Sequence, residues 1–296
     1  MGTTQDRPIG ADEAQFMKVA RAGDAGGFAL LTEMYRRELH VHCYRMLASY
    51  DDAQDMTQET FLRAWDKRES FEGRASLRTW LYRIATNACL DFLDKRRDRV
   101  PLPAETTGAG TEVLYLQPYP DSLMSRDDPH EIVVARETVE LAFIVAVQHL
   151  PPRQRAVLIL RDVLGWPAKN TAEALALTLA SANSALQRAR VTMREHLPDG
   201  RVDWSARTRH ELTADERALV SAYMEAHERL DVDWRCLLTS ANGQPAVAIY
   251  LRRPGDSVYR AFALDVLRIA NGLVAEITTF EDGVFPAFDL PTTLGD

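Results

Sequence analysis

No proline interrupts this chain between Pro8 and Pro101. A proline inside a helix removes a backbone hydrogen bond and clashes with the preceding turn, so a long proline-free stretch is open to helix formation. Apolar residues recur at helical spacing through it, as in FALLTEMYRRELHVHCYRML, residues 28–47. The sequence therefore predicts a compact bundle of helices over residues 24–97, after an N-terminal tail over residues 1–23.

Prolines return in the next segment and mark a change of structure. Residues 98–135 contain five prolines and carry seven Asp and Glu against two Lys and Arg, which is typical of an extended acidic linker. Residues 136–197 have a helical pattern again. We expect one helix over RETVELAFIVAVQHL (136–150), a second that ends at Gly165, a short one after Pro167, and a last long helix that Thr178 can cap.

The hydrophobic period changes once more near the C-terminus. ERALVSAYMEAHERL (216–230) predicts a helix, whereas PAVAIYLRR (245–253), YRAFALDVLRI (259–269) and LVAEITTFED (273–282) alternate as strands do. The expected fold class is therefore mainly α. Two helical domains are joined by a linker and followed by a small α+β domain over residues 203–296.

Composition argues against several other classes of protein. No apolar run approaches the length of a membrane span, and the N-terminus lacks the basic head and apolar core of a secretory signal. The three cysteines lie far apart, and His40 and His42 fall on different faces of a predicted helix. We therefore expect no disulfide framework, no metal site, no cofactor, no membrane partner and a cytoplasmic location.

The stretch Phe71–Arg97, FEGRASLRTWLYRIATNACLDFLDKRR, predicts a helix hairpin with two different faces. One face is an apolar stripe suited to a bundle core and consists of Leu77, Leu81, Ile84 and Ala88. The other combines an aromatic ring, a guanidinium and an amide, from Trp80, Arg83 and Asn87. Such a face can hold a phosphate backbone and stack on unpaired bases, although an ordinary solvated face is the alternative that this stretch alone leaves open.

The predicted helix over residues 53–65 has a surface of another kind. Three polar side chains and an apolar one recur on its outer face, namely Asp55, Gln58, Glu59 and Leu62. This face suits a protein partner with basic residues and an apolar socket, and its charge would repel nucleic acid. A solvated face with one stray leucine is the alternative reading.

Residues 168–196 have the pattern of a helix-turn-helix, in which the second helix enters a DNA major groove. Its core side would consist of Leu179, Ala182, Leu186 and Met193. Its outer side would carry side chains that read base edges or hold phosphates: Ser181, Asn183, Ser184, Gln187, Arg188 and Arg190. A surface helix of an all-α bundle is the alternative.

Together these motifs resemble those of extracytoplasmic-function sigma factors of RNA polymerase. DDAQDMTQETFLRAW (51–65) is similar to the helix by which these factors bind core polymerase, and residues 71–97 resemble their promoter-melting and −10-reading helices. LPPRQRAVLILRDVLGW (150–166) and ANSALQRAR (182–190) resemble their −35-reading region 4. YLQPYPD (115–121), ANGQPAVAIY (241–250) and VFPAFDLP (284–291) resemble a subgroup with a SnoaL-like C-terminal domain.

The resemblance implies an alternative sigma factor and no enzymatic activity. Region 2 would occupy residues 24–97 and region 4 residues 136–197. The chain would bind the clamp and flap of core polymerase, select promoters through −35 and −10 elements, and promote DNA melting. The linker would follow the path that nascent RNA later takes. The C-terminal domain would be regulatory and contact the sigma core or the linker.

The same resemblance assigns roles to individual positions. The residues that would bind core polymerase are Asp55, Gln58, Glu59, Leu62 and Arg63. The residues that would contact the −10 element are Phe71, Arg74, Ser76, Arg78, Trp80, Arg83, Asn87, Arg96 and Arg97. The residues that would contact the −35 element are Thr178, Ser181, Asn183, Ser184, Gln187, Arg188 and Arg190. Arg153 and Arg155 would lie near the polymerase flap.

Two departures from the family pattern have structural consequences. Ala176 stands where glycine is usual in the helix-turn-helix turn, and a left-handed backbone there would cost alanine roughly 1 kcal/mol more than glycine. Asp233 runs almost directly into a segment that resembles a later part of the SnoaL-like domain. A block of the domain is therefore absent, and two readings are open: a cut-down interaction module, or a sequence that is internally shortened.

Two other functions compete with the sigma factor. A stand-alone helix-turn-helix regulator with a ligand-sensing C-terminal domain would explain residues 136–296 and leave 51–97 without a purpose. An enzyme could use Asp265 or Glu276 as a base, but its pocket would be incomplete. The net charge of −8 also argues against a protein that binds DNA unaided.

Overall fold

The computed structural model describes residues 14–15, 18–19, 22–71, 75–99, 115–124, 139–197, 212–230 and 232–295, with the backbone alone at 31 and 97–99. Contacts between Cα atoms divide the chain into two compact units. The helical unit comprises Met1–Tyr115 and Ile144–Asp203, and the sheet unit comprises Leu116–Phe143 and Trp204–Asp296.

The first half of the helical unit is a helix bundle, as its proline-free sequence predicts. Its helices are α1 (Ala25–Glu33), α2 (Arg36–Leu47), α3 (Tyr50–Asp66) and α4 (Leu77–Arg99). Side chains cap two of their starts, because Asp24 accepts a hydrogen bond from the backbone of Gly27 and Ser49 accepts one from that of Asp52, both at 3.1 Å. The predicted apolar stripe of α4 lies in the bundle core, with Leu77, Leu81, Ile84 and Ala88 all buried.

The predicted hairpin over residues 71–97 is wrong. A short 3-10 turn, Arg68–Ser70, comes first, and then a single helix runs without a break from Leu77 to Arg99. Its start is marked by Ser76, whose hydroxyl accepts a hydrogen bond from the backbone N–H of Thr79 at 3.1 Å. Glycine and proline are absent from residues 77–99, so nothing in that segment favours a turn.

The next helices along the chain are α5 (Leu141–Gln148), α6 (Pro152–Leu158), α7 (Ala168–Ala174) and α8 (Leu179–His196). The second half of the helical unit begins within α5, at Ile144. A π-helical turn, Ile159–Val163, extends α6, and Gly165 ends it with a φ of +67°. Pro167 directly precedes α7, and Thr178 caps α8 by accepting a hydrogen bond from the backbone of Ser181. The helix predicted over residues 136–150 is shorter, since the described residues begin it at Leu141.

The turn of the helix-turn-helix has a left-handed backbone, which is strained because the residue there is alanine. Ala176 has a φ of +52°, in the left-handed region where a Cβ atom is disfavoured. Beyond the turn, Ala182, Leu186 and Met193 are buried as expected. The expectation for Leu179 is wrong, because 51% of this residue is exposed. Leu179 is the first residue of α8, and Ala182 is the first residue of that helix to be buried.

The sheet unit is an antiparallel sheet with a helix, α9 (Ala214–Glu228), on one face. Its strands are β1 (Asp233–Ala241), β2 (Gln244–Arg252), β3 (Tyr259–Ala270), β4 (Leu273–Glu281) and the short β5 (Thr293–Leu294). The order is β1-β2-β3-β4, and β5 pairs with β3. Sequence reasoning missed β1, which pairs with β2 along its whole length from Asp233 to Ala241.

Each face of the sheet carries its own apolar cluster. Val220 of α9 packs with Val247, Ile249 and Leu267 on one face. The opposite face buries Tyr250, Tyr259 and Phe285.

A capping box between Thr213 and Glu216 starts α9. The helix ends only four residues before β1, so the connection has no room for further helices or strands.

Two asparagine-glycine turns connect neighbouring strands of the sheet. Asn242 and Gly243 join β1 to β2 with φ values of +57° and +69°, and Asn271 and Gly272 join β3 to β4 with +54° and +74°. Positive φ at both central residues is the signature of the tight hairpin turn that matches strand twist. The two turns are therefore equivalent in backbone geometry.

No helix in the described ranges is long and apolar enough to cross a membrane. Within the same ranges, His, Cys, Asp and Glu side chains form no group of three that could hold a metal ion. Both histidines of α2 are buried, and burial lowers the pKa of His40 to about 4 and that of His42 to about 3. They are therefore neutral at pH 7.

Replacing Ala176 by glycine is expected to stabilise the protein. Removing the Cβ relieves the left-handed strain, partly offset by the greater backbone entropy of glycine, so the gain is about 0.5–1 kcal/mol in free energy of unfolding. Urea unfolding followed by circular dichroism measures it. Ala180→Gly, at an exposed right-handed position of α8, is the control and should destabilise by about as much. The prediction would be contradicted if both variants changed the free energy of unfolding in the same direction.

Candidate functional site

The outer face of α3 is acidic and carries a protruding leucine. Asp55 and Gln58 are exposed, Glu59 is half-buried, and Leu62 is 63% exposed. The opposite side of the helix packs into the bundle through Ala53, Thr57, Thr60 and Ala64. The folded bundle thus presents acidic and amide side chains next to one large exposed apolar side chain, a combination suited to binding a protein.

Arg63, the fifth residue expected on this surface, has an intramolecular role. Its guanidinium contacts Glu59 at 2.7 Å and Asp91 of α4 at 2.6 Å. Burial acts to lower the pKa of Arg63, but the hydrogen bonds to Glu59 and Asp91 outweigh it and raise the pKa above its ordinary value. Arg63 braces α3 against α4 and orients Glu59 on the acidic face.

An aromatic pair lies at the start of α4. Phe71 is buried, and its ring centre lies 5.1 Å from that of the half-buried Trp80. The loop between them includes Arg74, which is outside the described residues. The hydroxyl of Ser76 is engaged in capping α4. A ring such as Trp80, supported from behind by a second aromatic, provides a rigid surface for stacking.

Further along the same face, Arg83 is exposed and Asn87 is half-buried. The Asn87 side-chain nitrogen donates to the carbonyl of Arg83 at 2.9 Å and lies 3.5 Å from the carbonyl of Ala174, the last residue of α7. Trp80, Arg83 and Asn87 therefore share one face of α4, and its Asn87 end touches the helix-turn-helix. This stripe of Trp80, Arg83 and Asn87 is called the α4 stripe below.

Two other arginines expected at the −10 element are bound within the protein. Arg78 contacts Glu38 at 2.6 Å. Arg96 contacts Asp52 at 3.0 Å and places its guanidinium 3.3 Å from the ring centre of Tyr115. The side chain of Arg97 lies outside the described residues. Arg83 is thus the arginine of this group that the described contacts leave exposed without an ion pair.

The outer side of α8 is a continuous polar surface. The residues that lie exposed on it are Ser181, Asn183, Ser184, Gln187 and Arg188. Thr178 differs from them, because its hydroxyl caps the helix. Arg190 differs as well, since it makes two hydrogen bonds of 2.8 Å to Asp162 of the π turn. The Asp162 pairing raises the pKa of Arg190, which acts as a brace between α8 and the preceding segment.

Sequence reasoning missed the residue that joins the two halves of the helical unit. Arg155 of α6 is only 5% exposed, so its side chain lies inside the protein, whereas Arg153 on the same helix is exposed. It donates to the Met46 carbonyl near the end of α2, to the side chain and carbonyl of Gln148, and to the Leu150 carbonyl. Burial lowers the pKa of this guanidinium to about 10.

These contacts have a clear physical purpose. The last carbonyls of a helix lack partners within the helix, and buried ones must find donors elsewhere. Arg155 supplies a donor to Met46, and the Gln148 side chain supplies one to Arg45 at 3.4 Å. Tyr82 of α4 and Trp166 add an edge-to-face ring contact at 6.4 Å. The second half of the unit therefore completes the hydrogen bonding of the first.

In the sheet unit, Asn242 at the β1–β2 turn holds the linker at Tyr119 and the segment just beyond the linker at Val139. Its side-chain oxygen accepts from the backbone of Tyr119 at 2.7 Å, and its side-chain nitrogen donates to the Val139 carbonyl at 2.5 Å. Its own backbone N–H donates to the Tyr119 carbonyl at 2.8 Å. Asp121 accepts from the backbone of Gly243, also at 2.8 Å. We call this arrangement the linker clasp.

Two protein families match the sequence of the helical unit. The Sigma-70 region 2 family matches residues 31–99, and the Sigma-70 region 4 family matches residues 140–193. The ECF RNA polymerase sigma factor SigG of Mycobacterium tuberculosis is 40% identical over 325 residues, which cover 91% of this chain and 85% of the relative. SigW of Bacillus subtilis is 30% identical over 183 residues, covering 62% of this chain and 95% of that factor.

A solved structure is similar over nearly the whole chain. The crystal structure of the Mycobacterium tuberculosis extracytoplasmic function sigma factor SigJ has a TM-score of 0.52 and 21% identity, and the match covers 88% of this chain and 98% of SigJ. This likeness extends beyond the two sigma regions, and the C-terminal antiparallel sheet fits a SnoaL-like α+β fold. The alignment with SigG is longer than the 296 residues of this chain, so the relative contains residues without a counterpart here.

The chain therefore belongs to the ECF RNA polymerase sigma factors. Factors of this family direct RNA polymerase to promoters as alternative sigma subunits and bind both core polymerase and promoter DNA. They are not classically enzymes. The predicted family, fold class and function are confirmed at this level.

Arg155→Ala is expected to lower the free energy of unfolding by roughly 3 kcal/mol, because it leaves several buried carbonyls without donors and opens a cavity. Urea unfolding measured by tryptophan fluorescence detects the loss. Arg153→Ala is the matched control, since Arg153 is exposed on the same helix and should change stability by less than about 0.5 kcal/mol. Equal effects of the two variants would show that the buried contacts of Arg155 contribute little.

Proposed function

We propose that this sigma factor docks on the polymerase clamp through the acidic face of α3 and separates promoter strands with the α4 stripe. One observation carries the proposal: a single bundle exposes two surfaces of opposite chemistry on packed helices, and the α3–α4 brace of Arg63 and Asp91 connects them. An acidic surface cannot hold DNA, so it needs a protein partner, and a stripe with an aromatic ring, a guanidinium and an amide suits nucleic acid.

Leu62 is the centre of the proposed polymerase contact. It is 63% exposed and lies about one helical turn beyond Gln58 and Glu59 on the same face as Asp55. Complete burial of a leucine stabilises a complex by about 1.5–3 kcal/mol, more than an exposed charge pair usually does. The carboxylates around it would contribute mainly to partner choice and to the rate of association with a basic surface.

Leu62→Ala is therefore expected to weaken binding to core RNA polymerase about tenfold. Fluorescence anisotropy of the labelled full-length factor, titrated with purified core enzyme, measures the dissociation constant. Leu30→Ala is the matched control, because Leu30 is 77% exposed on a different helix, α1, and its loss should leave the affinity unchanged. Wild-type affinity of Leu62→Ala would place the clamp contact elsewhere on the chain.

The α4 stripe meets the energetic requirement of strand separation. Unstacking a base step costs a few kcal/mol, and stacking a base on an aromatic side chain returns about 1–3 kcal/mol. Trp80 is a half-buried ring held by Phe71, so little entropy is lost when a base stacks on it. Arg83 next to it would hold the phosphates of the melted strand, while Arg78 and Arg96 stabilise the bundle through Glu38 and Asp52.

We assign −35 recognition to the outer side of α8 and −10 recognition to the α4 stripe. Asn183, Gln187 and Arg188 carry amides and a guanidinium that can read adenine and guanine edges. The net charge of −8 is compatible with this role if polymerase supplies most of the affinity for the promoter. Docking through α3 would thus come before DNA binding. Transcription takes place on chromosomal DNA, so we also propose a cytoplasmic location.

We propose no catalytic function for the C-terminal domain. The carboxylate of Asp265 is buried and accepts 2.6 Å hydrogen bonds from the hydroxyls of Tyr223 and Thr279. Glu276 pairs with Arg268 at 2.8 Å. These acceptors are occupied by neighbouring side chains of the sheet and α9, which supports a structural role for both carboxylates.

The linker clasp supports a regulatory function for the sheet unit. Asn242 holds the chain on both sides of residues 125–138, through Tyr119 of the linker and Val139 beyond it. The linker of a docked factor is expected to occupy the RNA path of polymerase, so a domain that grips it controls how far it can extend. We propose that the clasp tunes promoter activity without altering the α3 contact.

Asn242→Gly is expected to release the linker, because glycine keeps the positive φ of the turn and removes the two side-chain groups of the clasp. We expect faster trypsin cleavage within the linker and a changed rate of promoter transcription, with core binding unaltered. Asn271→Gly is the matched control in the equivalent β3–β4 turn and should change neither readout. The clasp would have no regulatory role if transcription by Asn242→Gly matched that of the control.

A further inference from the structure

Leu179 is an apolar side chain on a surface that is otherwise suited to hydrogen bonding. It is the first residue of α8, directly after the capping Thr178, and it is 51% exposed. The buried residues of α8 are others, namely Ala182, Ala185, Leu186, Ala189 and Met193. Packing within the helical unit therefore does not explain a leucine at this position.

The neighbours of Leu179 define what it could contact. Asn183 lies one turn further along the same face and is exposed, and Gln187 follows after another turn. In a helix-turn-helix the N-terminal residues of the second helix reach the base edges of the major groove. The apolar feature of those edges is the 5-methyl group of thymine, whereas the other groups donate or accept hydrogen bonds.

We propose that Leu179 is a specificity-determining residue that reads the methyl group of a thymine in the −35 element. Asn183 lies about 6 Å further along the helix axis, a span of roughly two base pairs, and would read an adenine close to that thymine. The proposal rests on the assignment of α8 to the −35 element. To that assignment the proposal adds the residue Leu179 and the thymine methyl group that it would contact.

Thymidine and deoxyuridine differ by this methyl group alone, and this makes the proposal directly testable. Holoenzyme assembled from the full-length factor and core polymerase first selects duplexes from a library randomised in the −35 element. Each thymine of the selected element is then replaced singly by deoxyuridine. At one position we expect a three- to fourfold loss of wild-type binding at constant salt, the size of about 0.8 kcal/mol for one buried methyl group.

The variant Leu179→Ala should bind the thymine duplex about as weakly as wild type binds the deoxyuridine duplex. It should also be indifferent to the replacement at that position. Val191→Ala is the matched control, because Val191 is equally exposed at 51% on α8 but lies twelve residues, about 18 Å, further along the helix. This control should keep the full wild-type response to deoxyuridine.

Two results would overturn the proposal for Leu179, and a third would overturn the assignment of α8 to the −35 element. Indifference of wild type to deoxyuridine at every position, or an unchanged response in Leu179→Ala, would show that Leu179 reads no methyl group. Selection of duplexes without any preferred −35 sequence would instead show that α8 does not read this element. Failure of the specific inference and failure of the assigned function are thus distinguished by separate steps.

Discussion

The structure of the helical unit depends on one buried guanidinium. Arg155 lies among uncharged oxygens, where its charge is costly to desolvate, and the cost is offset only while every hydrogen bond to Met46, Gln148 and Leu150 is kept. A buried cation with so many fixed acceptors tolerates few alternative arrangements. It thereby fixes how α6 meets the end of α2, and with it how the helix-turn-helix lies against the α4 stripe, where Asn87 touches Ala174.

The other arginines of the helical unit fall into two groups, those paired with carboxylates and those that are exposed. Arg63, Arg78, Arg96 and Arg190 each pair with a carboxylate within the helical unit. Arg83 and Arg188 remain exposed on the surfaces assigned to DNA. The acidic total of the chain is therefore not evidence against nucleic-acid binding. Part of the negative charge neutralises structural arginines, part forms the outer face of α3, and the exposed arginines are free for phosphates.

The sequence predicted local features well and side-chain destinations less well. The buried stripe of α4 and the Thr178 cap follow from spacing within a few residues, and both were foreseen. The single helix in place of a hairpin also has a local cause, since residues 77–99 lack glycine and proline. By contrast, the exposed position of Leu179, the burial of Arg155 and the pairing of Arg190 with Asp162 depend on neighbours that sequence spacing does not reveal. Strand β1 was missed because its burial is set by β2 and the bulge-containing β3.

The amino-acid sequence alone determined the class of this protein: a helical, proline-free region 2 and a helix-turn-helix region 4, joined by an acidic linker and followed by a SnoaL-like α+β domain. Periodicity, caps and family motifs are properties of short segments, so they can be read without coordinates. Only the tertiary structure decided which polar residues face outward and which hold the protein together. The physical reason is distance along the chain: Arg155 and Met46 are 109 residues apart, and Asn242 and Tyr119 are 123 residues apart. Their partners are set by packing, which no local pattern encodes.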